Sequence, residues 1–401
     1  MAPPASRRRR GRGAGRTAAA PRRPAKRDRL SALPDDLLHR ILRFLDSRQA
    51  VADLSLLSRR WRRVWASSPH IVLPDSDADG FDTFGNWLLL LRDDSFVHHR
   101  RWVRHALGRG LRVLEVTVSC NRYFELPDGV FTCATLEEID FSAGETGVLA
   151  PKSVCLPRLK KLHLADVKFT DPSMGEKLSS GCPALEDLSL SQATLGSFKI
   201  SSETVKTLSI TGCNYEGLHV SAPNTCSLEL GVVGKVQLVG MPSLVSAWVY
   251  LCPDGAKHLA RGGYDLVAAL RDARQLELLG FGSILQDIMG NSSEECLPFS
   301  NLKTLVIGER LVTGFYDPLA YFLQFAPNLA SVTLDRRTLY RWKVLMEEKP
   351  IGNLELVSGL TRELEMLRIR LSKEDDAKVF RKMQRLLKEK IKNKKMVVKW
   401  F

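Results

Sequence analysis

An α/β chain is predicted, with a short helical unit at the N-terminus, then an irregular solenoid with parallel strands on its concave side, and a helical cap at the C-terminus. Three observations predict it. Apolar residues recur at three- and four-residue steps over residues 33–45, the period of an amphipathic helix. From Leu111 onward a short pattern, Leu-x-x-Leu-x-Leu with apolar substitutes, returns again and again. Near the end, Val379, Met383, Leu387 and Ile391 step by four behind Ser372-Lys373-Glu374-Asp375, a capping box leading an amphipathic helix.

The first 29 residues are Arg, Ala, Pro and Gly with almost no branched aliphatic side chain. Such a segment buries too little apolar surface to offset its ordering entropy, so disorder is expected. Its two basic clusters, Arg7 to Arg10 and Arg22 to Arg27, read either as a nuclear localisation signal or as a solvated tail. A transit peptide is a third reading, weakened by having only Ser6 and Thr17 as hydroxyl residues. The apolar core of a secretory signal is absent.

The helical unit comes next. Leu37, Leu38, Ile41, Leu42 and Leu45 are expected to form one apolar stripe. Pro34 suits the first turn, where a missing N–H costs nothing. Asp35 and Asp36 sit at the positive end of the helix dipole. Ser47 can cap a second helix carrying Val51 and Leu54, and Ser58 a third carrying Trp61 and Trp65. A unit of about 40 residues rarely closes its own core, so a partner is expected to cover part of it.

These residues carry a resemblance. Leu33-Pro34, the Leu37/Ile41/Leu45 spacing and Leu57-Ser58-Arg59-Arg60-Trp61 resemble an F-box. The resemblance implies docking on a Skp-type linker protein and, through it, a cullin-based ubiquitin ligase. The docking positions it implies are Leu33, Pro34, Leu37, Ile41, Leu57 and Trp61; Leu57 stands where Val is common in the family.

Residues 70–73 read as a short strand, and two helices around 81–91 and 96–107 would bridge to the next domain. His98, His99 and His105 fall near one another there but lack the thiolate or carboxylate set of a metal site, so no metal and no cofactor are expected.

The repeats then run from Leu111/Leu114/Val116 through Leu162/Leu164, Leu188/Leu190, Leu208/Ile210 and Leu228/Leu230 to Leu367/Ile369, mostly 19–29 residues apart. That is the spacing of leucine-rich repeats. One unit cannot bury its leucine face alone, whereas stacked units bury a continuous core. F-box followed by leucine-rich repeats is similar to a plant-type family, and the resemblance spans residue 30 to the end. The expected organisation is a basic tail over 1–29, a three-helix F-box over 30–70, a bridge over 71–110, the leucine-rich-repeat solenoid over 111–371 and a helical cap with a last strand over 372–401.

If the leucines point inward, alternation puts the residues between them on the concave face. These include Glu115 and Thr117, Asp140 and Ser142, Lys161, His163, Ser189, Ser209, Glu229, Trp248, Tyr250, Thr333 and Asp335. On this mostly polar strip Trp248, Tyr250 and His163 are the candidate target-binding residues, exposed aromatics being frequent anchors.

Charge and missing motifs narrow the function. Of the formal net charge of +14, residues 1–29 carry +10 and residues 372–401 carry +7, leaving the body at −3. A basic groove made by the fold is therefore not indicated, and nucleic acid is not an expected partner of the body. The alternative is a nuclear scaffold that uses its basic ends on nucleic acid. Eight single cysteines without a C-x-x-C pair suggest reduced, buried thiols of a nuclear or cytoplasmic protein. No apolar run approaches the roughly 20 residues of a membrane span. No phosphate-binding, dinucleotide, zinc-protease or nucleophile-elbow motif occurs. A non-catalytic adaptor for protein ubiquitination and degradation is expected, its target unnamed by the sequence.

Overall fold

The computed structural model describes residues 33–42, 44, 60–61, 64, 70–73, 103, 107–108, 110–117, 126–252, 263–281, 298–308, 322, 325–335, 365–371 and 395–400. The basic tail, Leu45, Ser47, Leu57, Ser58, His98, His99, His105, Cys120, Cys296, the bridge helix at 81–91 and the helix at 372–391 lie outside the described residues.

A long parallel ladder organises the chain. Its strands are β1 (His70–Leu73), β2 (Val113–Thr117), β3 (Glu138–Leu149), β4 (Lys161–Phe169), β5 (Asp187–Ser191), β6 (Thr194–Ser201), β7 (Thr207–Thr211), β8 (Asn214–Ser221), β9 (Ser227–Val232), β10 (Lys235–Leu238), β11 (Ser246–Leu251), β12 (Gln275–Leu279), β13 (Thr304–Gly308), β14 (Ser331–Asp335), β15 (Met366–Leu371) and β16 (Lys395–Trp400). The main path runs β1-β2-β3-β4-β5-β7-β9-β11-β12-β13-β14-β15-β16. Every pairing along it is parallel, and apart from a register shift past Ser142 between β3 and β4 the strands stay in register, so each leucine position sits beside its equivalent in the next turn, for example Leu188 beside Leu208 and Leu208 beside Leu228. That is the solenoid the leucine spacing predicts. The strand at 70–73 is already its first rung, pairing with β2, so the ladder begins some way before Leu111.

One feature was not expected. β6, β8 and β10 form a second parallel ladder off the main path, joined to it where Lys168 meets Thr194. It occupies the turns whose repeats are 19–20 residues long. A strand rises about 3.3 Å per residue and a helix 1.5 Å, so a short turn can return across the solenoid only as a strand. Helices occur where the repeat is longer: α2 (Met174–Gly181) in the turn before β5 and α3 (Gly263–Ala269) before β12. The corners between the two ladders repeat too. Asp166, Gln192 and Gly212 all adopt positive φ, at 54°, 52° and 64°, a conformation that suits glycine and strains other residues.

The core of the ladder is one continuous apolar cluster from Val103 to Leu367. Polar side chains stitch the turns together at its edges. Thr135 Oγ1 donates to the Leu111 carbonyl at 2.7 Å, Asn224 Nδ2 to that of Glu203 at 2.7 Å, and Asn328 Nδ2 to that of Ser300 at 2.7 Å. Thr225 is fully buried and its Oγ1 donates to the Val205 carbonyl at 3.3 Å. Thr225→Val keeps the shape but strips a buried carbonyl of this donor. It should cost about 1–3 kcal/mol, read as a lower urea midpoint with an unchanged slope.

Two expectations change. Cys182 and Cys213 are buried thiols, pushed up to about 12 and about 11 by burial, and so are unreactive. Cys155 and Cys226 are exposed instead, because they sit at the turn entries rather than at leucine positions. Thr333 and Asp335, expected on the concave face, are buried on β14, where Asp335 pairs with Arg370 at 3.0 Å.

Candidate functional site

Two surfaces stand out, and the first is the outer face of α1 (Asp35–Leu42). The Pro34 carbonyl accepts the Leu37 and Leu38 amides at 3.1 Å, starting the helix. Arg60 fastens that start to the later segment: its Nη2 donates to the Leu33 carbonyl at 2.7 Å and pairs with Asp35 at 2.6 Å. Further along, the His39 Nε2 donates to the Val64 carbonyl at 3.0 Å.

The single stripe expected here splits in two. Leu38 and Leu42 point inward and form a small core with Trp61 and Val64, against which Leu33 and Ile41 pack at the margin. Leu37 is 42% exposed and Phe44 88% exposed. Pro34 is exposed and Leu33 and Ile41 are half-buried. Pro34, Leu37, Ile41 and Phe44 follow steps of three, four and three, one face of a helix. Trp61, which the resemblance implies as a docking residue, is 1% exposed and packs in the unit's own core. Phe44 is the docking candidate missed by sequence reasoning, although its place three residues after Ile41 was readable.

The second surface is the concave face of the ladder. Burial alternates along β2, β5, β7 and β11, with the leucine positions inward. Register then lines the outward side chains into rows. The central row runs Glu115, Asp140, His163, Ser189, Ser209, Glu229, Trp248, Glu277, Val306, the position of the buried Thr333, and Arg368. Glu277 and Arg368 were missed, although the alternation of Gln275-Leu276-Glu277-Leu278 placed Glu277 as clearly as any neighbour.

His163 lies third in this row, after Glu115 and Asp140. Its Nδ1 is 3.1 Å from Asp140 Oδ1, and its Nε2 is 3.3 Å from Ser191 Oγ. The hydrogen bond to Asp140 raises the imidazole's pKa above the ordinary 6.5, against the effect of burial. Beside it the Glu115 carboxyl is raised by burial and by the Asp140 charge. A raised histidine stabilises the fold below its unfolded pKa, and that contribution fades as pH rises through the folded value. An NMR titration of His163 should therefore give a pKa above 6.5, and Asp140→Asn should lower it.

Trp248 and Tyr250 follow each other on the outward side of β11, both half-buried, with ring centroids 6.3 Å apart and planes at 21°. Trp248 lines a depression of about 190 Å³ with Ser227, Glu229, Ser246, Gln275 and Glu277. Among the described residues no group of three or more His, Cys, Asp and Glu could hold a metal ion. No helix among them is long and apolar enough to cross a membrane.

Comparison with known proteins fits both surfaces. Residues 30–72 match the F-box domain family, and residues 99–235 match the family described as "FBD-associated F-box protein At5g56370, LRR repeats". The F-box/LRR-repeat protein At4g14103 of Arabidopsis thaliana is 27% identical over 79% of this chain and 87% of its own length. The F-box/FBD/LRR-repeat protein At4g26340 of the same plant is 31% identical over 77% of each. With a helical module bearing an open apolar face, a leucine ladder in register behind it, and relatives matched over most of their length, this chain belongs to the F-box/LRR-repeat family.

Proposed function

We propose that the chain is the substrate-recognition adaptor of a Skp-cullin-F-box ubiquitin ligase. The outer face of α1 docks the Skp-type linker, and the concave face of the ladder holds a protein target. One observation supports the reading most: the apolar stripe of Pro34, Leu37, Ile41 and Phe44 stays open after the module's own core is filled. The chain makes no covalent bond in this reading. It holds target lysines at high effective concentration near a charged carrier, which is proximity rather than chemistry. The location that goes with it is nucleus or cytoplasm.

The test is co-purification with a Skp-type partner. Leu37→Glu/Phe44→Glu puts two charges on the open face without touching Leu38, Leu42 or Trp61. Capture should fall at least about tenfold, since each charge must be desolvated at the interface, while the far-UV circular dichroism stays unchanged. Undiminished capture would end the docking assignment.

A further inference from the structure

The rim of the concave face, where the strands begin, carries a charge pattern that breaks at one place. The residues just before the strands form a row tied by backbone hydrogen bonds. Glu137 N donates to the Arg112 carbonyl at 2.7 Å, Lys160 N to that of Glu137 at 2.8 Å, Glu186 N to that of Lys160 at 2.9 Å and Lys206 N to that of Glu186 at 2.8 Å. The row continues in the same way to Arg274 and Lys303, whose N donates to the Arg274 carbonyl at 2.9 Å. From Arg112 to Lys206 the charges alternate in sign and neighbours reach one another: Arg112 Nη2 lies 2.8 Å from Glu137 Oε2, and Lys206 Nζ lies 2.9 Å from Glu186 Oε2. Arg274 and Lys303 break the alternation. They are two exposed cations side by side, with neutral Val245 and Ala330 as their outer neighbours. Among the described residues neither side chain has a hydrogen-bond or ion-pair partner, and the nearest acid in sequence, Asp272, faces Arg271 at 3.9 Å.

We infer that Arg274 and Lys303 form a seat for a carboxylate from an acidic segment of the protein target. The inference rests on the proposed adaptor reading for the existence of a target; the sign of the ligand's charge is read from the rim itself. Strands lie about 4.8 Å apart, and like charges facing each other across that step repel. An anion between them removes the repulsion and gains charge-assisted hydrogen bonds from both. The row shows the fit, since at the same one-strand step Glu137 pairs with Arg112 and Glu186 with Lys206. A target carboxylate in the seat repeats the arrangement that the chain uses on itself. Gln275 and Thr304, in register one residue further along, add an amide and a hydroxyl beside the seat. Both also line the depression next to Trp248, so the seat is continuous with the concave face. Val245, 42% exposed and next to Arg274 in the row, offers an apolar contact to a neighbouring residue of the segment. Two cations are too few to hold a nucleic-acid backbone, which takes several phosphate contacts, and the net negative body opposes it. Because both cations are exposed, the effect is modest and screened by salt.

The test uses the full chain and a Gly-Leu-Glu-Gly-Glu-Gly peptide carrying an uncharged fluorophore, with a glutamine counterpart, followed by fluorescence anisotropy at low salt. The glutamate peptide should bind at least about fivefold tighter than the glutamine peptide, the contribution of one good exposed charge pair. Arg274→Gln/Lys303→Gln should abolish that preference. Lys206→Gln, on the same rim but already paired with Glu186, should leave it intact. Lys303→Glu gives Arg274 a partner in the row's own alternation, so it should also abolish the preference, with an unchanged urea midpoint. Equal binding of the glutamate and glutamine peptides would overturn the inference, as would a preference that survives in the double Gln variant or one lost equally in Lys206→Gln. Inorganic phosphate or an oligothymidylate that binds the wild type tighter than the glutamate peptide, and loses that binding in the double Gln variant, would assign the seat to phosphate and overturn the target carboxylate as occupant. Skp-type capture, measured in parallel, should be unchanged in the double Gln variant. Capture that persists in the wild type while the glutamate preference is missing sinks this inference alone; capture that fails in the wild type sinks the adaptor reading.

Discussion

Trp61→Ala will unfold the N-terminal module and abolish capture of a Skp-type partner with it. Among the described residues the indole fills a core of four buried side chains, Leu38, Leu42, Trp61 and Val64. Truncating a buried Trp costs about 3–5 kcal/mol, and a module of about 40 residues has little stability to lose. The exposed ion pair of Arg60 with Asp35 and the single hydrogen bond of His39 to the Val64 carbonyl are too weak to compensate. Limited proteolysis of the N-terminal region reads the unfolding directly, and co-purification reads the capture. Leu37→Ala is the contrast, weakening capture while leaving protease resistance near wild type. A Trp61→Ala chain that resists protease as the wild type does, yet loses the partner, would return the indole to the docking face.

Leu190→Ala will destabilise the ladder by about 2–5 kcal/mol, whereas Ser189→Ala next to it will stay within about 0.5 kcal/mol. The two are adjacent on β5 and differ in direction. Leu190 is fully buried between Leu164 and Ile210 of the flanking turns, while Ser189 faces the concave side. In a solenoid each turn is held by its neighbours, so the cavity at Leu190 weakens both interfaces. Urea unfolding followed by circular dichroism gives both costs. Similar midpoints for the two variants would mean that the strand's faces are not inward and outward as described.

The legible part of the fold is the part governed by short periods. A two-residue alternation needs no tertiary knowledge to say which side chains share a face, so Glu115, His163, Glu229 and Trp248 could be placed on one surface from their spacing alone. The strand at 70–73 and the last strand around Met396 were readable as short continuous apolar runs. The second ladder was not. In β6 the apolar positions Leu195, Phe198 and Ile200 lose the alternation at Gly196, where the pairing register shifts.

The sequence by itself determined the kinds of unit and the inward side of each repeat, because periodicity and burial are local properties of the chain. Only the tertiary structure decided that α1 carries two apolar stripes rather than one, and that Trp61 belongs to the inner one. It alone brought Glu229, Trp248 and Glu277 side by side from three successive turns. Those outcomes depend on which surfaces meet, and a surface's partner is set by residues distant along the chain, beyond the reach of any local pattern.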